Sequence, residues 1–322
     1  MSILFSHFFE KINQLSPLEH NFTEVLDSIA LKPKILYFYG KIPENVSKQR
    51  PKTVAIVGSR HNTKYGEEIA YKLAYELGKH GVIVISGLAF GIDSIAHRGC
   101  LDAGGTTIAV LGTRVDDIYP KSHRPLAEEI LKQNGAIISE YAPLSDKDAP
   151  LAPAEYIAKN GKRQIAQSAA FLYRNRLIAG LSDAVVVVEA AEKSGSLNTA
   201  THAIEQGKTV YAVPGNITNP YSQGCNKLIK QGAIPYTEPA DILREFFPEE
   251  YFKNQKSLKK KHLIGDTDVE TKILQAIASG FRKGDEIMQN TKLPPEVFNQ
   301  TVTLLEIKGR IHALGMNAWT LV

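Results

Sequence analysis

Three consecutive residues, Gly58, Ser59 and Arg60, have side chains and backbone suited to holding a phosphate. An arginine can form two parallel hydrogen bonds to an oxyanion, a serine can donate one, and a glycine lets the backbone approach the ligand closely. They follow an apolar run at 54–57 and precede a helical pattern at 67–79, and the start of a helix favours anions. An ordinary strand-to-helix turn, with the arginine paired to a carboxylate, explains the same residues equally well.

A second candidate lies in residues 171–183, FLYRNRLIAGLSD, where Arg174 and Arg176 flank Asn175. Two guanidinium groups and an amide beside Phe171 offer both oxyanion donors and an aromatic ring on which a base can stack. The pattern places these residues directly before a helix. For an isolated Arg-Asn-Arg, a solvated helix start with one arginine packed on an aromatic ring is the more common structure.

Two further turns combine glycines with hydroxyl groups. Their candidate binding residues are Ser86, Gly87 and Gly91 in the first turn, and Ser194, Gly195 and Ser196 in the second. Helix capping explains the serines of the second turn more often than ligand binding does. Neither the turn that begins at Gly58 nor the turn that begins at Ser86 contains G-x-G-x-x-G, and no acidic residue ends the second strand, at 82–86. A dinucleotide-dependent oxidoreductase is therefore disfavoured.

The elements that position these turns alternate between apolar strands and helices. The apolar strand patterns lie at 54–57, 82–86, 106–112, 136–140, 184–190 and 209–215. Such alternation predicts an α/β fold with a doubly wound, mostly parallel sheet, because each crossover lays a helix over a sheet face. Ligands bind such sheets at the carboxyl ends of the strands, which is where the candidate turns gather. Residues 33–45 predict one further strand near a sheet edge.

Composition limits the class of protein. A chain of 322 residues that is 43% hydrophobic has enough apolar surface for about two domains. A formal charge of +4 is compatible with a polyanionic partner without demonstrating one. Cys100 and Cys225 are too few and too far apart for a disulfide framework, so we expect a reducing, cytoplasmic location. We expect no signal peptide and no membrane span.

The sequence predicts four parts: residues 1–31 as an N-terminal helical remnant, 32–248 as the sheet domain, 249–265 as a basic linker, and 266–322 as a winged-helix-like domain. The pattern of residues 266–322 predicts three helices followed by a hairpin. Its third helix is acidic and apolar, with little of the basic or amide character that reads a major groove. A protein contact or self-docking is therefore at least as good an interpretation of this domain as duplex binding.

The order of these motifs resembles that of the DNA-processing protein A family, DprA, also called Smf. The resemblance covers residues 35–245 and rests on the motifs GSR, SGLAFGIDSIAH, RNRLIAGLSDAVVVVEA, SGSL, AVPGN and GCNKLIKQGAIPY. It implies an extended Rossmann-like domain that binds single-stranded DNA and forms a homodimer, to which the last motif would contribute. It also implies protection of incoming DNA and loading of the RecA recombinase during natural transformation, without a cofactor, a metal or a catalytic site.

The resemblance also implies roles for individual residues. Gly58, Ser59 and Arg60 would hold backbone phosphate. Phe171, Arg174, Asn175 and Arg176 would lie against the DNA strand, with the phenylalanine near a base. The turns that begin at Ser86 and Ser194 would shape the pocket.

The chain departs from the family pattern between Glu140 and Arg174, where the connection is longer than usual and carries a basic stretch at 156–169 with a helical pattern. The family tends to have a lysine shortly before the phenylalanine, and this chain has Ser168 instead. Lys162 or Arg163 is the alternative source of that positive charge.

The competing interpretation is a nucleotide-processing enzyme that resembles nucleoside monophosphate glycosidases. Asp93 and His97 stand one helical turn apart and can cooperate as acid and base, but a helix-capping aspartate and a packed histidine are more common there. Glu140 and Glu189, at strand ends, are the other candidates. The nine histidines show no HxH or HExxH spacing, so a metal enzyme is disfavoured.

Overall fold

The computed structural model describes residues 9, 11–46, 49–159, 163–248, 264–315 and 317–321. The chain divides into two compact units, Met1–Ile242 and Leu243–Val322. Most of the predicted linker, residues 249–263, lies outside the described residues.

The first unit is built on a nine-stranded sheet and carries a separate two-stranded hairpin. In chain order its strands are β1 (Asn13–Leu15), β2 (Leu36–Gly40), β3 (Thr53–Val57), β4 (Ile83–Ser86), β5 (Thr107–Val110), β6 (Ala136–Ser139), β7 (Glu155–Ile157), β8 (Arg163–Ile165), β9 (Ala184–Val187), β10 (Thr209–Ala212) and β11 (Ile234–Pro235). The order across the sheet is β1-β2-β6-β5-β4-β3-β9-β10-β11. The strands from β6 to β11 in this order are parallel, while β2 is antiparallel to β1 and to β6. The predicted Rossmann-like, mostly parallel sheet is confirmed.

Helices cover both faces of this sheet. They are α1 (Lys64–Lys79), α2 (Ile92–Asp102), α3 (Arg124–Lys132), α4 (Gln167–Leu181), α5 (Gly195–Glu205) and α6 (Gln223–Lys230). The next helix, α7 (Ala240–Phe246), contains the boundary between the two units. Alternate residues of β5 belong to different buried clusters: Ile108 and Val110 pack with α4 and α5 residues, whereas Ala109 packs with α3 residues. Successive side chains of a strand point to opposite faces, so the two clusters are the two cores of a doubly wound fold. In the described part of the chain, no helix is both long and apolar enough to cross a membrane.

The predicted helical pattern of the N-terminal remnant is wrong for the residues that the structure describes. β1 pairs with β2 in antiparallel register, and short 3-10 turns follow at Pro17–Glu19 and Glu24–Ser28. Phe22 and Leu26 are buried in the sheet core. Pro17 falls inside the predicted helical pattern, and a proline in a helix interior breaks the helix.

The helical pattern predicted for residues 156–169 is also wrong. β7 and β8 form an antiparallel hairpin, and the Ala166 amide donates to the Ala154 carbonyl at 2.9 Å to close its base. Gly161 interrupts the helical pattern in the sequence, and a glycine in a helix interior costs about 1 kcal/mol relative to alanine. Helix α4 begins only after the hairpin, at Gln167.

Within residues 264–315 and 317–321, the second unit contains three helices and a hairpin, as predicted. These are α8 (Asp268–Ala278), α9 (Gly284–Thr291), α10 (Pro295–Ile307), β12 (Ile311–Gly315) and β13 (Ala318–Leu321). Thr267 caps α8 by accepting from the Glu270 amide at 3.2 Å. Phe298 is fully buried at the centre, and Trp319 packs against it edge-on with ring centroids 5.5 Å apart. These contacts give the second unit a core of its own.

Candidate nucleic-acid interface

A cleft of about 740 Å³ opens at the carboxyl ends of β3 and β9. Its walls are the turn after β3, the first half of α4 and the start of α5. Most of the predicted site residues line it: Gly58, Ser59, Arg60, Phe171, Arg174, Asn175, Ser194, Gly195 and Ser196. Gly87 lies in a small adjoining pocket that shares Arg60, Phe171 and Arg174. The topology therefore brings residues from four separate turns and helices to one opening.

The turn after β3 is fixed by backbone contacts. The Ser59 amide donates to the Glu189 carbonyl at 2.7 Å, and the Ser59 hydroxyl bonds the backbone of His61. A Cβ at Gly58 would lie 2.7 Å from Ile92 Cγ1, so glycine is needed for close packing of the turn against α2. Ser59 therefore shapes the turn, while the exposed Arg60 side chain reaches the cleft.

Phe171 is the centre of an aromatic and cationic surface. The Arg60 guanidinium carbon lies 5.2 Å from the Phe171 ring centroid, and the Tyr119 ring lies 5.6 Å away on a tilt of 38°. Gly112 makes room for this ring, because a Cβ there would lie 2.6 Å from Phe171 Cδ1. Tyr119 is not among the site residues predicted from the sequence. The feature of the sequence that could have identified it is its position, as an aromatic residue in the loop that follows a strand of the parallel sheet.

Arg174 is a buried cation at the floor of the cleft. Its Nη1 donates to the carbonyls of Gly87 and Val110, and its Nε donates to Asn175 Oδ1 at 3.2 Å. Burial lowers the pKa of Arg174 to about 10, against the opposing charge of Asp93. The group therefore remains charged at neutral pH.

Asn175 connects α4 to the start of α5. Its Nδ2 donates to the Gly195 carbonyl and to Asn198 Oδ1, both at 3.2 Å. Ser194 caps α5 by accepting from the Ser196 amide, which is the capping role that the sequence left open. The capped helix start lines the cleft, and its first-turn amides and dipole favour an anion there.

The structure does not bring Arg176 to this cleft. Its side chain is 4% exposed and forms an ion pair with Glu140, with Nη2 and Oε2 2.7 Å apart. Arg176 lines a different pocket, of about 280 Å³. The sequence placed Arg174 and Arg176 before a helix, but both lie inside α4, where positions two apart point about 200° away from each other.

Ser86 and Gly91 also lie outside the set of residues that line the cleft. Ser86 is fully buried and donates to the Ile56 carbonyl at 2.7 Å. Gly91 has φ 75°, and a Cβ there would lie 2.3 Å from the Ser59 carbonyl oxygen. Both residues support the walls of the cleft through the backbone.

The missing family lysine has no described replacement. Ser168 lines the cleft at the expected place. Lys162 and the side chain of Arg163 lie outside the described residues. Lys193, which was not predicted from the sequence, adds an exposed cation to the cleft.

The charges that line the cleft are mainly positive. Among the described residues that line it, the cations Arg60, Arg174 and Lys193 are accompanied by one carboxylate, Asp93. Burial raises the pKa of Asp93, while Arg174 and hydrogen bonds to the carboxylate oppose that effect. Among the described residues, no group of three or more His, Cys, Asp or Glu side chains is placed to hold a metal ion.

Asp93 and His97 do not form an acid–base pair. Asp93 accepts from the Gly87 amide at 3.1 Å. His97 Nδ1 lies 2.7 Å from Thr107 Oγ1, which donates its own proton to the Val84 carbonyl, so His97 must be the donor. Burial lowers the pKa of His97 to about 3. The histidine is thus a neutral core residue bound to the sheet.

The two other carboxylates of the enzyme interpretation are also held in structural contacts. Glu140 pairs with Arg176 in the ion pair described above. Glu189 accepts from the Thr63 amide at 2.8 Å and from its hydroxyl at 2.6 Å, at the start of α1. Both therefore stabilise the elements around the cleft.

Comparison with known proteins settles the family. Residues 13–247 match the family described as DNA recombination-mediator protein A. The chain belongs to this family, DprA/Smf. Residues 259–315 match the DprA winged helix domain, which confirms the predicted fold of the second unit.

Individual relatives agree with this assignment. Protein Smf of Escherichia coli is 47% identical over 190 residues, which are 59% of this chain and 46% of that protein. The chain thus matches about half of the length of that curated relative. The X-ray structure of DprA from Streptococcus pneumoniae is 35% identical with a TM-score of 0.59, covering 74% of this chain and 76% of that one.

A second solved structure concerns DNA binding directly. It is DNA processing protein A from Helicobacter pylori, described for its single-stranded DNA binding mode. It is 30% identical with a TM-score of 0.58, and the match covers 76% of this chain and 99% of that chain.

Proposed function

We propose that this chain binds single-stranded DNA in the cleft at the carboxyl ends of β3 and β9. The observation that carries the proposal is the surface formed by Arg60, Phe171 and Tyr119, where a cation and two aromatic rings lie side by side at the opening. Unpaired bases stack on aromatic rings and backbone phosphates are held by arginine, so this combination suits a single strand. The Helicobacter pylori relative is described as binding single-stranded DNA.

Each group of residues that lines the cleft contacts a different part of the DNA strand. Arg60 and Lys193 contact phosphates, and the amides at the start of α5 bind a third anionic group. Phe171 and Tyr119 carry a base, and Arg174 supplies a fixed positive charge below them. Most of these contacts address phosphates and ring faces, so binding is expected to be independent of sequence.

The same proposal extends to partners. The chain would protect incoming DNA and load the RecA recombinase onto it in the cytoplasm, during recombination or natural transformation, and would act as a homodimer through residues 224–236. The family description, a DNA recombination mediator, supports the recombinase role. For the dimer, the support is that β11 is the last strand in the sheet order.

Arg60→Ala tests the site. We expect the affinity for oligo-dT, measured by fluorescence anisotropy, to fall at least about tenfold, because the variant can no longer bind a phosphate there and has no cation beside Phe171. The slope of log affinity against log salt should become shallower by about 0.7 for each phosphate that is no longer neutralised. Arg98→Ala is the matched control, since Arg98 is an exposed arginine on α2 that does not line the cleft. Equal affinity of the two variants would refute the assignment.

Two further measurements test the partners. RecA filament growth on DNA coated with a single-strand binding protein should accelerate when the chain is added, and should not when Arg60→Ala is added. Light scattering at micromolar concentration should give twice the mass of one chain. A single-chain mass would remove the dimer from the proposal and leave the DNA site standing.

A further inference from the structure

The β7–β8 hairpin is a small element with exposed apolar side chains. Each strand has three residues, and an isolated two-stranded hairpin is marginally stable at best in water. Two apolar side chains on β7 are nevertheless open to solvent, with Tyr156 46% exposed and Ile157 56% exposed. They are successive residues of β7 and point to opposite faces of the hairpin, so Tyr156 presents an exposed ring on one of these faces.

The hairpin is joined directly to the proposed DNA cleft. The Ala166–Ala154 hydrogen bond closes its base, and Gln167, the next residue and the first of α4, lines the cleft. Tyr156 stands opposite Gln164 in the register, three residues before Gln167. Chain geometry limits the distance between the Cα atoms of Tyr156 and Gln167 to roughly 16 Å. A single DNA strand that leaves the cleft past Gln167 therefore passes within reach of Tyr156.

The described side chains of the hairpin have the chemistry of a stacking platform. The Tyr156 hydroxyl donates to Gln164 Oε1 at 2.8 Å, which orients the ring while leaving it exposed. Lys159 is exposed beyond the end of β7 and can contact a phosphate. The nearby carboxylate, Glu155, is turned back to the Ala152 amide at 2.9 Å. Single-strand binders combine exposed aromatic rings with cations, and here Tyr156 and Lys159 lie three residues apart along the chain.

We propose that the β7–β8 hairpin is a second subsite for single-stranded DNA, in which Tyr156 stacks on a base of the strand beyond the cleft and Lys159 contacts a neighbouring phosphate. The inference rests on the proposed function of the cleft, and it extends the DNA-binding site from the cleft to the hairpin. A strand long enough to occupy both subsites then binds more tightly than one that fills the cleft alone, since the two contacts share one ligand.

The test compares oligo-dT of about 5 nucleotides, which fills the cleft alone, with oligo-dT of about 20 nucleotides. Tyr156→Ala should weaken binding of the longer strand at least about fivefold, the low end of the range for one stacked base, and should leave binding of the short strand unchanged. Tyr156→Phe keeps the ring and should bind both strands as the parent does. Tyr71→Ala, at an exposed tyrosine on α1, is the matched control and should change neither affinity.

The outcomes separate the hairpin from the cleft. Unchanged binding of both strands by Tyr156→Ala, with Arg60→Ala still weak, overturns the hairpin subsite and leaves the proposed function intact. Equal losses on both strands also overturn it, because they point to a disturbed cleft. If Arg60→Ala and Tyr156→Ala both bind normally, DNA binding in the cleft and the hairpin subsite are both refuted.

Discussion

Replacing Arg176 with methionine is expected to damage the fold and spare the DNA site. Arg176 and Glu140 are 4% and 3% exposed at their side chains, and two hydrogen bonds of 2.7 and 3.2 Å join them. Removing one member of a buried pair leaves an uncompensated charge and costs about 3–5 kcal/mol. For a unit of this size, each kcal/mol corresponds to about 2–4 °C in Tm, so we expect Tm to fall by roughly 10 °C.

The loss should depend on pH in a defined direction. Burial raises the pKa of Glu140 in the folded protein, and Arg176 opposes that effect. Without the arginine the folded-state pKa rises further above that of the unfolded chain. Below the unfolded-state pKa of about 4.3, Glu140 is protonated in both states, so the variant buries a neutral carboxyl and keeps its stability. As pH rises through the raised folded-state pKa, the folded variant must bury an unpaired carboxylate, and its stability is lost. The difference in Tm from the parent should therefore be smaller at pH 5 than at pH 8.

Differential scanning fluorimetry across this pH range, with oligo-dT affinity measured on the same samples, checks the prediction. Lys32→Met is the matched control, because Lys32 pairs with Asp27 at the surface, where the side chains are 59% and 39% exposed, and such pairs contribute about 0–1 kcal/mol. The double change Arg176→Met with Glu140→Gln should recover much of the decrease in Tm, since it removes both charges. If Arg176→Met lowered DNA affinity and left Tm unchanged, the reasoning would be refuted and Arg176 would be assigned to the DNA site.

Two other outcomes are expected. Gly91→Ala should lower both Tm and oligo-dT affinity more than Gly104→Ala. Both glycines have positive φ, but a new Cβ at Gly91 would lie 2.3 Å from the Ser59 carbonyl oxygen, whereas a Cβ at Gly104 would have no atom within 4 Å. Equal effects in the two variants would show that backbone strain alone is responsible. Cys100 and Cys225 should resist a thiol reagent such as DTNB at pH 8 until denaturant is added, because burial raises the pKa of both thiols to about 12; rapid labelling of the native chain would contradict this.

The sheet was predictable because its central strands are buried on both faces. Unbroken apolar runs such as the one at Val54–Val57 are typical of strands that helices cover on each side, so their order along the chain predicts the parallel fold. The hairpin and the N-terminal strand have no such signal. β1, β7 and β8 are three residues long, and their pairing depends on partners that the local sequence does not reveal.

The meeting of the candidate residues at one cleft was predictable in outline, but the structure places Arg176, Ser86 and Gly91 outside the set that lines it. Turns at the carboxyl ends of strands meet at one edge of any parallel sheet, so the sequence alone is enough to place Arg60 and Ser194 together. The position of Arg176 depended on where α4 begins, and helix boundaries are the least reliable feature of a sequence pattern. A helix that begins at Gln167 separates Arg174 from Arg176, because residues two apart cannot share a helix face.

Arg174 gives the cleft a positive charge that is immobile before any ligand arrives. Its guanidinium is held by carbonyl groups at the ends of two neighbouring strands, through Gly87 and Val110. An exposed arginine such as Arg60 loses rotamer freedom when it grips a phosphate, at a cost of about 0.5–1.5 kcal/mol. Arg174 has already lost that freedom on folding, so its attraction for a polyanion carries no such penalty on association.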